Sequence, residues 1–324
     1  TDAAACPETG AIRLNRDFIE YIRRGPVLFD GGMGSMLIAA GLGDREIPEQ
    51  WNFLHPEAMI GIHSAYLEAG AEVIQTNTFG ATSIKLSASE GGRGLDPSAV
   101  NERAAELARE ALANFSGGKK GGGDGLSRFV AGDIGPVGEF FPPMGKLTAE
   151  RAREAFREQV AALELGGVDL FLIETMYDLR EAVEALRAVR EVSGKPAIVE
   201  LTMDLRPRGY FTLVGDTAAK AVEVLIPAGA DILGANCTMA SGAMTGLVPE
   251  FRRLTKAPLL FQPNAGRPEI SGGAAVYGQA PEEFAADLAK MLDAGADCVG
   301  GCCGTTPDFI RAARRMIDER GRGE

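Results

Sequence analysis

The sequence predicts an α/β fold, a (β/α)8 or TIM barrel in a single domain. Three observations point there. Strand-like apolar runs recur eight times along the 324 residues, helical periodicity fills the intervals, and one phrase marks the junctions between them. The phrase reads EAGAEVIQ from Glu68, ELGGVDLFLI from Glu164, PAGADILG from Pro227 and DAGADCVG from Asp293. In each copy a glycine stops a helix, an acidic residue follows, and an apolar strand begins. Repeated βα units most simply close into a barrel, with a doubly wound open sheet as the alternative. The expected division is residues 1–26 as an N-terminal extension with a first helix and 27–324 as the barrel.

The first strand is expected at Val27–Gly32, carrying Asp30, Gly31 and Gly32 at its carboxyl end. A helical stretch holding His55 and His63 as ordinary structural residues leads to the second strand, Val73–Asn77, which ends in Thr76 and Asn77. The polar, glycine-rich stretch Asn114–Arg128 reads as a surface loop; its lysines lack the GxxxxGK[ST] spacing of a phosphate-binding loop. The third strand is Phe129–Gly135, followed by a helix over Thr148–Leu165 with apolar residues at i, i+3 and i+4. The fourth, Leu170–Thr175, contains Glu174 near its end and precedes a helix over Asp178–Val192. Ala197–Leu201, Ile232–Cys237, Leu259–Asn264 and Cys298–Gly304 complete the set. Active sites of such barrels collect at the carboxyl ends of the strands, so Asp30, Thr76, Asn77, Glu174, Cys237, Asn264, Cys302 and Cys303 converge on one mouth.

Composition excludes several classes of partner. With 45 acidic and 33 basic residues the net charge is −12, and no basic patch interleaves with aromatics, which argues against nucleic acid and anionic membranes. No apolar run approaches the ~20 residues of a membrane span. The start, TDAAACPETG, lacks the features of a secretory signal, so a soluble, cytoplasmic protein is expected.

Cys237 in LGANC and the adjacent Cys302 and Cys303 in GGCCGT carry the chemistry. Vicinal cysteines rarely bridge each other, because the ring is strained, and a redox pair favours CxxC spacing. Three thiolates suit zinc, and three protein ligands leave a fourth position open for an exchangeable group. Such a site favours a soft sulfur ligand and keeps it deprotonated at neutral pH. Cys6 and Cys298 read instead as small buried hydrophobes.

The ordered motifs FDGGMGSML, QTNTFGA, IETMYD, LGANC, PNAGRP and GGCCGTTP resemble the homocysteine-binding zinc methyltransferase family, from about Val27 to Met316. Among its branches the chain looks most like the amino-terminal homocysteine domain of cobalamin-dependent methionine synthase, with betaine-homocysteine methyltransferase more distant. The resemblance implies that Cys237, Cys302 and Cys303 hold Zn2+ and that homocysteine takes the open position before methylation to methionine. It further implies that Asp30 and Glu174 hold the substrate's amino group, and that Asn264 approaches zinc when substrate is absent. Read from the residues, Asp30 supplies an anion, Gly31 and Gly32 offer backbone donors for the substrate carboxylate, and Thr76, Asn77 and Asn236 stand as supporting polar groups.

The methyl donor implied is methylcobalamin on a corrinoid protein or on a further module. A small onium donor, betaine or S-methylmethionine, is the alternative, as is a different thiol or selenol acceptor. An onium is usually held in an aromatic cage. The chain has one Trp, Trp51, and 6% aromatic residues, although Phe140, Phe141 and Tyr177 fall near strand ends. From another class, a non-catalytic zinc-binding barrel that docks a corrinoid protein fits the same motifs.

Overall fold

The computed structural model describes residues 17–43, 45–117, 126–271 and 274–321, and Cys6 lies outside them. Eight strands build its centre: β1 Val27–Leu28, β2 Val73–Gln75, β3 Phe129–Ile134, β4 Leu170–Met176, β5 Ala197–Leu201, β6 Ile232–Ala240, β7 Leu259–Asn264 and β8 Cys298–Val299. They pair in the order β1-β8-β7-β6-β5-β4-β3-β2, every pairing parallel. A parallel bridge between Phe29 and Val73 joins β1 to β2 and closes the ring, which rules out the open sheet. Strands β5 and β7 span the residues that periodicity predicts. By contrast β1 and β8 are shorter, because the backbone beyond them leaves the ladder to shape the mouth, and β6 runs on to Ala240.

Alternation sends every second side chain of each strand into the lumen. Val27, Val73, Leu170, Leu172, Ile198 and Leu260 meet there with Cys298, which is thus a small buried apolar group. Phe18 and Ile22, from the helix Asp17–Ile22, join the same cluster and plug the amino end of the barrel. Outside the ring, helices bury their apolar faces against the opposite faces of the strands. Thr148 caps Ala149–Leu165 by accepting the Arg151 N–H, and Asp178 caps Leu179–Val192 by accepting the Arg180 N–H. Helix Pro97–Gly117 extends into the stretch expected as loop from Asn114, while residues 118–125 of that stretch lie outside the described residues. No helix among the described residues is long and apolar enough to cross a membrane.

The recurring junction phrase has a structural counterpart at the amino end. The acid preceding each even-numbered strand accepts a backbone N–H from the start of an odd-numbered neighbour. Asp169 accepts from Val130 at 2.8 Å, Asp231 from Ala197 at 2.9 Å, Asp297 from Leu259 at 2.8 Å and Glu72 from Leu28 at 3.2 Å. Each acid also pairs with an arginine of an outer helix: Arg109, Arg190, Arg252 and Arg314 respectively. Three of these arginines donate Nε–H to the carbonyl of the glycine that ends the junction helix, Gly167, Gly229 or Gly295. One clasp therefore repeats four times, once for every two βα units.

Two hairpins stand on the carboxyl side. Asp204–Arg206 with Gly209–Phe211 follows β5, and Pro268–Ser271 with Ala274–Tyr277 follows β7.

Candidate functional site

Two bulges shape the mouth. Between Asn236 opposite Gln262 and Ala240 opposite Asn264, β6 advances four residues while β7 advances two. The surplus is taken up at Cys237 and Thr238, both left-handed at φ 57° and 55°. In a regular strand Asn236 and Cys237 would face opposite sides; this kink lets both serve the mouth. A second bulge on β4, between Ile173 and Met176, places Thr175 at φ 57° directly after Glu174. Non-glycine residues held in this region carry strain, which clusters at functional sites.

Cys302 and Cys303 lie beyond β8 in a turn fastened from several sides. Cys302 N–H donates to the Pro263 carbonyl at 2.9 Å, Cys303 N–H to Asn264 Oδ1 at 3.1 Å, and Gly304 N–H to Ser35 Oγ at 2.8 Å. Because the turn is not extended, neighbouring thiols point the same way. Cys303 Sγ lies 3.8 Å from Cys237 Sγ and 3.9 Å from Cys302 Sγ, and all three sulfurs lie within 4.8 Å of one another. A metal with tetrahedral angles and metal–sulfur bonds of ~2.3 Å sets its sulfurs about 3.8 Å apart. The trio therefore fits such a metal and is too widely spaced for a disulfide. As free thiols they are unequal: hydrogen bonds from Cys237 and Cys302 draw Cys303 below its ordinary value, outweighing burial, while the Tyr277 side chain packs against the adjacent Gly304. Hydrogen bonds to Cys237 and Cys303 push Cys302 up.

Beside the sulfurs the lumen changes from apolar to acidic. Asp30, only 1% exposed, accepts the Gln75 backbone N–H at 2.9 Å on one oxygen and Gln75 Nε2 at 2.8 Å on the other. Burial raises its pKa to about 7 against those hydrogen bonds. Glu174 accepts from Asn236 Nδ2, whose amide also donates to Thr175 Oγ1 at 2.9 Å and stands 4.0 Å from Cys302 Sγ. Burial, then the charges of Cys303 and Asp30, push Glu174 above the ordinary carboxylate range. Asn236 thus links an acid to a thiol through one side chain.

The remaining expected residues divide by what they touch. Asn264 directs its oxygen at the Cys303 N–H and would have to share or leave that bond to reach a metal. Gly32 donates its N–H to the Thr305 carbonyl at 3.0 Å and hydroxyl at 3.1 Å, so this donor is engaged within the chain rather than open to a substrate carboxylate. A Cβ at Gly31 would stand 2.7 Å from the Thr305 carbonyl oxygen, and one at Gly32 2.6 Å from that of Cys302; the pair lets β1 approach the cysteine turn. Thr76 Oγ1 accepts the Asp133 N–H and bonds Thr78 Oγ1, while Asn77 Nδ2 donates to the Pro48 carbonyl and to Asn52. Both fasten local backbone. His63 is buried on helix Pro56–Ala69, where burial lowers its pKa to about 4, and His55 packs its ring against Trp51.

Sequence reasoning missed Gln75, Asp133, Glu200, Thr305 and Tyr277. Asp133 and Glu200 are buried acids, and neither Glu200 oxygen has a hydrogen-bond partner among the described residues. A signal existed for them: each sits two positions after a lumen-facing apolar residue, Ala131 or Ile198, in an otherwise apolar run.

Thiol chemistry worked at the mouth of a (β/α)8 barrel is the class that this fold and site define. Comparison with known proteins narrows it. The chain belongs to the homocysteine S-methyltransferase family, whose profile matches residues 27–317. It is 30% identical over 313 residues to methionine synthase of Mycobacterium tuberculosis, covering 93% of this chain and 25% of that protein. With methionine synthase of Mycobacterium leprae it shares 30% identity over 315 residues, 94% of this chain and 25% of the relative. The chain thus spans a quarter of the length of these curated relatives. Among solved structures it is similar to the metallated form of the homocysteine methyltransferase MmuM from Escherichia coli, with a TM-score of 0.75, 25% identity, and 93% and 99% of the two chains covered. The apo form of MmuM gives a TM-score of 0.70 at 26% identity over 90% and 96% of the chains.

Proposed function

We propose that this protein is a zinc-dependent S-methyltransferase that methylates homocysteine to methionine. The observation that carries the reading is the set of three sulfurs at metal-ligand spacing, with two carboxyl groups, the buried Asp30 and the half-buried Glu174, in the same mouth. Soft thiolate ligands suit zinc, and a three-residue set leaves room for a substrate sulfur. When bound, zinc supplies a Lewis acid that keeps an incoming thiol deprotonated at neutral pH.

The chain's own residues do the rest. Asp30, oriented by Gln75, and Glu174, oriented by Asn236, receive the substrate ammonium; a carboxylate has about four lone-pair sites, so Asp30 retains acceptors beyond its two internal bonds. The amide of Asn236 sets Glu174 at a fixed offset from Cys302, which aligns the amine with the sulfur end of one amino acid.

For the methyl donor we favour methylcobalamin carried by a corrinoid protein or module. Large apolar side chains stand exposed in three connections that follow strands: Ile38 after β1, Met144 after β3 and Leu213 after β5 are 64%, 59% and 62% exposed. Exposed apolar side chains on the βα connections suit a macromolecular partner. The aromatic residues that could cage an onium are engaged with other groups: Phe140 pairs with Tyr177 at 5.5 Å, and Phe141 lies 4.9 Å from the Arg180 guanidinium.

Zinc-edge X-ray absorption on reduced, zinc-loaded protein tests the reading. Addition of homocysteine is expected to change three sulfur neighbours plus one lighter atom into four sulfurs. An unchanged spectrum would point to another thiol or to a non-catalytic barrel, and failure to bind zinc would remove the reading altogether.

A further inference from the structure

We propose that Thr305 is a positioning residue that fixes the cysteine turn relative to Asp30, so that the site recognises an amino thiol by the span between its sulfur and its amine. The proposal rests on the reading above, in which the three cysteines hold a metal and Asp30 receives the substrate ammonium. A substrate held at both ends binds tightly only where its two anchors are kept at the separation of its own sulfur and nitrogen. Asp30 belongs to the segment that continues β1, and Cys302 and Cys303 to the turn after β8. Whatever joins these two segments at the mouth sets that separation.

The strand ladder joins them only in part. Its last pair is Leu28 opposite Val299; beyond it Phe29 N–H donates to the Val299 carbonyl at 2.8 Å and Gly301 N–H to the Asp30 carbonyl at 3.0 Å. From there Thr305 takes over. Its hydroxyl donates to the Cys302 carbonyl at 2.6 Å and accepts the Gly32 N–H at 3.1 Å, so one side chain bonds the cysteine turn and the second residue after Asp30. Its backbone repeats the link. Thr305 N–H donates to the Cys302 carbonyl at 3.1 Å, and its own carbonyl accepts from Gly32 N–H at 3.0 Å and from the Tyr66 hydroxyl at 2.9 Å. Thr305 and Tyr66 are fully buried, so bulk water does not compete for these bonds. A Cβ on Gly31 would stand 2.8 Å from the Thr305 hydroxyl oxygen, and one on Gly301 would collide with the same side chain. Glycines directly after Asp30 and directly before Cys302 thus form the slot that the threonine fills. Gln75 orients the Asp30 carboxyl group itself, which leaves Thr305 to hold the seam between the two segments.

The test uses Thr305→Val, which keeps the side-chain shape without the hydroxyl, and Thr305→Ser, which keeps the hydroxyl. Wild type and variants are loaded with Co2+, a spectroscopic stand-in for zinc, and thiol binding is followed by sulfur-to-cobalt charge-transfer absorption. Two thiols are titrated: homocysteine and 4-mercaptobutanoate, the same chain without the amino group. Thr305→Val is expected to bind homocysteine about tenfold more weakly, the scale of one buried hydrogen bond, with its affinity for 4-mercaptobutanoate unchanged, and Thr305→Ser to restore the preference. Equal weakening of both thiols, or of neither, would overturn the positioning role, since the hydroxyl would then serve the cysteine turn alone or neither anchor. If Thr305→Val does not fold, Tyr66→Phe carries the test, because it removes the hydroxyl bonded to the Thr305 carbonyl. A reduced preference for homocysteine in that variant supports the role, and an unchanged preference overturns it. A wild type that binds cobalt without preferring homocysteine would instead sink the assignment of Asp30 and Glu174 to the ammonium, and a wild type that binds no metal would sink the metal reading.

Discussion

Asp30 shows how one residue's burial becomes a functional property. Its carboxyl group is nearly inaccessible, and burial lifts its pKa to about 7 even though Gln75 donates twice to it. An acid whose folded-state value is raised binds its proton more tightly in the native state, so it erodes stability as pH rises from the unfolded value of about 4 through its folded value. The same shift governs ligand binding with the opposite preference, because only the ionised form attracts an ammonium group. Homocysteine affinity is therefore expected to fall as pH falls through about 7. Asp30→Asn should lower affinity by about tenfold or more at pH values above that range and remove this part of the pH dependence, leaving the contribution of the thiol. Calorimetric titration of both proteins over several pH values measures it; equal affinities throughout would place the ammonium elsewhere.

At the scale of elements, the fourfold clasp explains why a short phrase recurs in the chain. Each copy needs a glycine to end a helix, an acid to bind both an N–H and an arginine, and an apolar strand to enter the lumen. Asp231→Asn keeps the shape of the side chain but removes the charge that meets Arg190 and the Ala197 N–H. The pair is partly solvated, so screening reduces its worth, and a loss of about 1–2 kcal/mol is expected in urea unfolding, with zinc stoichiometry unchanged. No loss would mean that the clasp only decorates the junction. The acid and glycine halves of this device were legible in the sequence because they are local; Arg190 was not, since it lies 41 residues from Asp231 and no local rule pairs them. The site divides similarly. Its three cysteines were legible from residue type and strand-end placement, whereas Gln75 contacts Asp30 across 45 residues. The bulges escaped notice because Thr175, Cys237 and Thr238 adopt left-handed backbone that their residue types disfavour, so propensity points the wrong way at these positions. The limits of β1 and β8 were missed for a related reason: apolar and glycine residues continue past both strands while hydrogen bonds to the opposite turn take the backbone out of the ladder.

Across the whole molecule, stability and chemistry occupy opposite ends of one lumen. The amino end is closed by apolar packing and the clasps, and the carboxyl end holds the sulfurs and acids, with the lumen-facing layer of Leu172 and Ile198 belonging to the apolar part. Phe18 is the test of that division. Placed before the barrel by the sequence, it packs within the barrel's inner cluster, its ring centroid 6.2 Å from that of Phe29 and 5.0 Å from that of Phe129. Phe18→Ala removes a fully buried ring from a floor made of strands that cannot collapse inward without breaking their closed ladder. A destabilisation of about 3–5 kcal/mol is therefore expected in chemical unfolding. Because the substitution leaves both bulges and the cysteine turn untouched, the folded fraction should still bind one zinc with an unchanged absorption spectrum. If zinc binding weakens in parallel with stability, the floor helps set the geometry of the mouth, and the two ends of the barrel act as one unit.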